Sequence, residues 1–391
     1  MCNHSVARLT ARESFAARVV LDLGSTDSIR RNAAAQPAAS TCDSRAMANT
    51  TGPETGDSMR AMRFDVDSKT LALRTVPVPS IGYGEVLVRV QAAGVCLSDV
   101  HIAQGVIKPR HILTGELTLG HEVAGVVTRI GEGVTGWTVG DRVALQPLVW
   151  LPDGSRTLGV DYDGGWAEYV ATPASTLVAI PDGLGFEEAA IIPDAVSTPW
   201  SAIRTTGQAR AGESVGVWGV GGLGAHAVQL LRLVGAAPII AVDPLPAARD
   251  RALVLGADAA LDPTAADFAA QMKNATRGRM LDLALDFAGV PASQAQIPNC
   301  LAHSGRIVLV GLSGQPITIQ NSVDFSVFKQ SIRGHFGQDY TDIPDLVDLV
   351  SWGRLDLSSS ISGVLPLEEA AEAIRRLDEK IDDPIRLILR P

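Results

Sequence analysis

The sequence predicts an α/β protein of two unlike parts: an antiparallel, barrel-like β domain interrupted by an inserted domain with a doubly wound parallel sheet. Three observations carry that prediction. From Met62 onward, MRFDV, LALRTVPV, EVLVRVQAAGV, EVAGVVTRIG and DRVALQPL are rich in β-branched residues and bounded by Gly and Pro, as strands joined by tight turns should be. Glycines at 131, 133, 136 and 140 suit the corners of a barrel. Near Pro199 the pattern changes: the apolar runs SVGVWGV, PIIAVD, LDLALDFAG and GRIVLVGL alternate with helical stretches. Continuous apolar strands between helices mark a parallel sheet covered on both faces. The tail then returns to the first part, with an amphipathic helix in LPLEEAAEAIRRLDEK and a last strand in IRLIL.

Composition narrows the function. The chain has 391 residues, 46% hydrophobic and 19% charged, with a formal net charge of −10 and no basic block. Nucleic acid and anionic membrane surfaces are therefore not expected partners. The longest weakly charged run, Val215 to Leu231, contains five glycines and His226, so it is not a bilayer span. The four cysteines (Cys2, Cys42, Cys96 and Cys300) lie far apart and form no CxxC pair, which fits a reduced, cytoplasmic setting. Residues 1–58, rich in Ala, Ser, Thr and Arg, have no periodicity and are expected to be a disordered extension.

The motif VGVWGVGGLG runs a strand into a turn lined by Gly219, Gly221, Gly222, Leu223 and Gly224. Glycines allow a tight turn and close backbone approach, and the helix that follows presents free N–H groups to an anion. PIIAVD ends in Asp243, 24 residues beyond Gly219, the spacing of a carboxylate that binds ribose hydroxyls. The constellation predicts a dinucleotide site. Asp243 accepts hydrogen bonds from a free 2′-OH and repels a 2′-phosphate, so NAD(H) is expected over NADP(H).

Cys96 in VCLSDVH, and His121 and Glu122 in LGHEV, are possible zinc ligands. A catalytic zinc needs three protein ligands and an open position. Asp194, in EEAAIIPDAVSTPW, is a carboxylate among apolar and small residues. It reads either as a helix N-cap or as a buried charge that needs a partner.

GVCLSDVH, LGHEVAGVV, GDRVALQP and GVGGLG together resemble the zinc-dependent alcohol dehydrogenases of the medium-chain dehydrogenase/reductase superfamily, over nearly all of Met59 to Pro391. The resemblance implies a GroES-like catalytic domain (59–194 and 338–391) and a Rossmann NAD-binding domain (195–337). It implies zinc bound by Cys96, His121 and a third ligand about 25 residues before the first fingerprint glycine, which falls on Asp194; its second oxygen stays free to cap the following helix. Glu122 would stand near the metal, as alternate ligand or structural carboxylate, and Asp99 would orient His121. Ser98 would hydrogen-bond the substrate oxygen and pass its proton through the ribose hydroxyls to His101. Thr198 resembles a nicotinamide contact and Arg386 a pyrophosphate contact. The family's cysteine-rich structural-zinc lobe is missing, since DRVALQPLVWLPDGSRTLGVDYDGGWAEYV holds no cysteine; one zinc per chain and a short replacement loop are expected. The implied activity is hydride transfer between an alcohol and NAD(H), in a homodimer or homotetramer formed at the sheet edge. A metal-independent quinone or enone reductase and a polyol or hydroxyacyl-CoA dehydrogenase are the alternatives.

Overall fold

The first strand starts earlier than the sequence suggests. The computed structural model describes residues 56–391 apart from 113–114 and 152–153, so the expected extension lies outside the described residues up to position 55. Ser58, expected to belong to that extension, already pairs with Pro77.

Strands β1 (Ser58–Asp65) and β2 (Thr70–Pro77) form a hairpin, β3 (Glu85–Val95) is the longest strand, and β4 (Glu116–Thr118) adds to β1. Then follow β5 (Val123–Ile130), β6 (Arg142–Leu145), β7 (Leu148–Leu151), β8 (Gly154–Thr157), β9 (Tyr169–Pro173) and β10 (Leu177–Ala179). Where the sequence suggested a plain short loop, β7 and β8 make a two-stranded hairpin. The parallel sheet is built from β11 (Val215–Trp218), β12 (Ile239–Val242), β13 (Ala259–Leu261), β14 (Leu281–Asp286), β15 (Leu301–Leu309) and β16 (Ser331–Gly334). Its order is β13-β12-β11-β14-β15-β16, with every pair parallel. The chain then returns through β17 (Ile361–Pro366) and β18 (Arg386–Arg390) to the antiparallel sheet, ordered β10-β6-β5-β3-β18-β17 with β9 also on β3.

Period-2 alternation separates two cores. Val143 and Leu145 of β6 face the barrel interior with Val88, Val90, Val123 and Leu387. Ala144, on the other face, packs with Ala92 and Ala124 against Ile191, Ile192, Ala195 and Val196. Small residues on that face let a helical segment sit close to the sheet, while each large apolar side chain buried contributes about 1.5–3 kcal/mol.

That segment corrects the N-cap reading of Asp194. The helix begins at Phe186, eight residues earlier, and runs as Phe186–Ile191, a π turn Ile192–Val196, Ser197–Ser201 and a second π turn Ala202–Thr206. Asp194 lies within it and makes no cap. Pro193 and Pro199 have no N–H, and in a straight α-helix their rings would strike the carbonyls of Ala189 and Ala195. The wider π turns accommodate them, and such turns recur at functional sites. Among the described residues no helix is long and apolar enough to cross a membrane.

Candidate active site

Three neighbouring strands bring the polar residues to one edge. β3 and β5 are antiparallel with Ala93 opposite Val123, so Cys96, just past β3, lies beside His121 and Glu122, just before β5. β18 is antiparallel to β3 with Leu387 opposite Val95, which puts Arg386 at the same edge. Gly120 takes φ +95°, and a Cβ there would strike the Trp166 ring, so only glycine lets the chain turn into His121. The helix carrying Asp194 packs across this edge.

Cys96 Sγ is 3.2 Å from Asp194 Oδ2, and His121 Nε2 is 3.6 Å from the same oxygen. With Glu122, their ligand atoms all lie within 4.8 Å of one another. Zinc–ligand bonds of about 2.0–2.3 Å at tetrahedral angles imply ligand separations of about 3.3–3.5 Å. The two distances to Asp194 Oδ2, 3.2 and 3.6 Å, lie on either side of that value. A sulfur, an imidazole nitrogen and a carboxylate oxygen turned toward one point are electron-rich groups that repel unless a cation or protons lie between them. The donor set and spacing fit zinc.

The surrounding contacts orient these donors. Asp99, fully buried, accepts from the Cys96 N–H at 2.9 Å and places its other oxygen 3.5 Å from His121 Nδ1. Nδ1 of His121 thus faces the Asp99 carboxylate and Nε2 faces Asp194, the orientation that metal-bound histidines require. Thr198 donates its hydroxyl proton to Asp194 Oδ1 at 2.9 Å, leaving Oδ2 for the cluster. Ser98 Oγ stands 3.6 Å from Cys96 Sγ. Asp194 keeps 17% of its side chain exposed while Glu122 has none, so the cluster opens on the Asp194 side.

Arg386 sits between the two acids, its Nη2 2.9 Å from Glu122 Oε1 and 3.4 Å from Asp194 Oδ2, with 2% of its side chain exposed. Burial raises the Glu122 carboxyl to about 8 despite the arginine. For Asp194, burial acts the same way, but the His121 hydrogen bond, the His121 charge and Arg386 outweigh it and hold the acid well below the carboxylate range. Burial lowers His121, yet Asp99 and Asp194 together raise it well above an ordinary imidazole. The acids that favour a proton there would equally favour a metal cation.

The glycine turn lies at the C-terminal end of β11. Gly219 takes φ +81°, and a Cβ on Gly224 would strike the Gly219 carbonyl. The helix Gly224–Val234 that follows has no side-chain N-cap, which leaves its first turn for an anion. Asp243, just past β12, accepts from the Val220 N–H at 2.8 Å and the Leu245 N–H at 2.9 Å. Arg249 Nη1 donates to the Asp243 and Pro244 carbonyls, each at 2.8 Å.

Cys96, His121, Glu122, Asp194, Asp99, Ser98 and Thr198 are thus brought together. His101, one turn beyond Ser98 on the helix Leu97–Gln104, is half-buried, and burial lowers its imidazole below the ordinary value against the pull of Asp378. Arg386 carries more than its pyrophosphate reading suggested: Nη2 serves Glu122 and Asp194, while Nη1 faces Gly222, where an added Cβ would lie 2.8 Å from it. Sequence reasoning missed His226, buried just past the glycine turn; a histidine in the apolar run AHAVQLL was the available signal. Gln146, just past β6 and 2% exposed, has neither side-chain amide atom paired among the described residues.

The family described as "Alcohol dehydrogenase GroES-like domain" matches residues 82–182, and "Zinc-binding dehydrogenase" matches 222–352. An NAD-dependent alcohol dehydrogenase of Sulfurisphaera tokodaii is 31% identical over 346 residues, covering 82% of this chain and 96% of that protein. An alcohol dehydrogenase of Geobacillus stearothermophilus is 34% identical over 337 residues, covering 82% and 96%. The crystal structure of the alcohol dehydrogenase from Aeropyrum pernix superposes with a TM-score of 0.77 at 29% identity, covering 85% of this chain and all of that one. A GroES-like domain joined to a Rossmann domain, zinc-type donors at their junction and likeness to NAD-dependent relatives over 82% of the chain agree: the chain belongs to the zinc-dependent alcohol dehydrogenases of the medium-chain dehydrogenase/reductase superfamily, enzymes that transfer hydride between alcohols or carbonyls and NAD(H).

Proposed function

We propose that this alcohol dehydrogenase uses one catalytic zinc per chain, held by Cys96, His121 and Asp194, and prefers NAD(H). The observation that carries the reading is the meeting of a thiol, an imidazole nitrogen and a carboxylate oxygen, from three distant segments, with Asp194 Oδ2 3.2 Å from the sulfur and 3.6 Å from the nitrogen. When bound, such an ion supplies Lewis acidity to the oxygen of an alcohol or carbonyl. Elemental analysis of the purified protein should give one zinc per subunit, since no cysteine occurs between Cys96 and Cys300 to build a second site. Two zincs per subunit would overturn that count.

In the proposed chemistry, Ser98 hydrogen-bonds the substrate oxygen and takes its proton during oxidation, and His101 delivers that proton toward solvent. Asp99 holds His121 and Thr198 holds Asp194, so the donors keep their rotamers through turnover. Ser98→Ala and His101→Gln should each slow turnover about 10²-fold, the usual worth of a proton-transfer group, with zinc retained. Because burial lowers the His101 imidazole, it stays neutral and able to accept a proton at pH 7. Its contribution to oxidation is lost only as pH falls through that lowered value, and His101→Gln should remove this acidic limb from the pH profile.

The cofactor reading rests on Asp243, fixed at the end of β12 by two backbone N–H groups. Arg249 has its Nη1 on backbone carbonyls. The kcat/KM with NADH should exceed that with NADPH by tenfold or more, about 1.4 kcal/mol of discrimination, and the reverse order would refute the preference. We assign 59–194 and 338–391 to catalysis and 195–337 to cofactor binding, in line with the sheets. A homo-oligomer through the edge strand β16 is supported by the exposed Val323, Val327 and Phe328 in the segment that leads into it, and a cytoplasmic setting by the scattered cysteines.

A further inference from the structure

His226 takes no part in the chemistry above, yet it is fully buried where three segments meet. Its Nδ1 is 2.7 Å from the Gly222 carbonyl oxygen, and its Nε2 is 2.9 Å from Ser360 Oγ, 134 residues away. A carbonyl can only accept, so Nδ1 carries the ring proton. Burial and the nearby Arg386 push the imidazole down to about 4, so the ring is neutral, Nε2 accepts and the Ser360 hydroxyl donates. On its other side the Gly222 peptide is closed in: a Cβ there would lie 2.8 Å from Arg386 Nη1 and 2.9 Å from the Ile385 carbonyl oxygen.

We propose that His226 is a positioning residue for the cofactor loop: Ser360 fixes the ring, and the Nδ1–H fixes the Gly222 carbonyl, so the loop amides stand ready for the pyrophosphate. A loop with glycine at 219, 221, 222 and 224 has more backbone freedom to lose than any other composition. Binding a dinucleotide to it would cost that freedom unless something outside the loop has already removed it. His226 does so from the helix behind the loop and ties the restraint to Ser360, just before β17. The proposal rests on reading Gly219–Gly224 as the dinucleotide site.

The test compares His226→Leu, His226→Asn and His226→Gln in the full chain, with NADH binding followed by the fluorescence of NADH itself. His226→Leu should raise the Kd for NADH about tenfold, the net worth of one hydrogen bond. The alcohol KM at saturating NAD⁺ and the zinc content should not change. An Asn amide places an N–H where Nδ1–H stands, and His226→Asn should remain within about threefold of the parent, since it restores that single bond. A Gln amide reaches the Nε2 position instead, so His226→Gln should behave like His226→Leu. If the leucine variant does not fold, the Asn–Gln contrast decides. A parental Kd in both His226→Leu and His226→Gln, or an equal loss in Asn and Gln, overturns the proposal. A parent protein that fails to bind NADH sinks the reading of the glycine loop, and the proposal with it.

Discussion

Asp194→Ala should abolish zinc binding and cut alcohol oxidation by about 10³-fold or more, while far-UV circular dichroism stays that of the parent protein. Lewis-acid stabilisation of a developing charge is worth several kcal/mol, and each 1.36 kcal/mol is tenfold in rate. Asp194 offers the oxygen nearest both Cys96 Sγ and His121 Nε2, so its loss leaves two of the three donors. The fold survives because the helix is held by Ile191, Ile192, Ala195 and Val196 in the apolar core, not by the carboxylate. Cys96→Ala and His121→Ala should show the same pairing of lost metal and retained fold. Asp194→Cys should retain zinc, since a thiolate is an equally good ligand. Full activity in Asp194→Ala would sink the assignment.

Arg386→Met should lower the unfolding free energy by about 3–5 kcal/mol, as removing one member of a buried ion pair does. The guanidinium lies 2.9 Å from Glu122 Oε1 and 3.4 Å from Asp194 Oδ2, with only 2% of its side chain exposed. Without it Asp194, whose carboxyl is held well below the carboxylate range, loses a buried counter-charge, whereas Glu122, raised to about 8, is already largely protonated near pH 7. Methionine keeps the length of the apolar stem, so the loss reports the charge and not a cavity. Asp194→Asn in the same chain should recover a substantial part, because a neutral amide needs no counter-charge. Denaturant midpoints of the single and double variants check both statements. A single variant as stable as the parent would show that the pair contributes nothing.

The strands were legible because their period is local. EVLVRVQAAGV and EVAGVVTRIG alternate or run apolar over the stretches that became β3 and β5, and VGVWGVGGLG showed its strand and turn together. The helix around Asp194 was misread because Pro193 and Pro199 ordinarily mark breaks. Packing against the alanine face of the sheet carries the helix through both, by way of the π turns. The hairpin β7–β8 was missed because LVWLPDGSRT is short and its pairing has only local support.

Local sequence patterns carried the two-part α/β plan, the glycine turn after β11, and Cys96 and His121 as metal-ligand candidates, with Asp194 added through family spacing. Long-range packing alone brings these donors together, sets Thr198 on Asp194, places Arg386 between Glu122 and Asp194, and lays His226 against the Gly222 carbonyl and Ser360. The reason is physical. Periodicity and turn chemistry act over a few residues, whereas the site depends on the register of β3 against β5 and β18 and on a helix laid across them. Those contacts join residues about 100 to 190 positions apart, and no local pattern encodes which buried charge will face which.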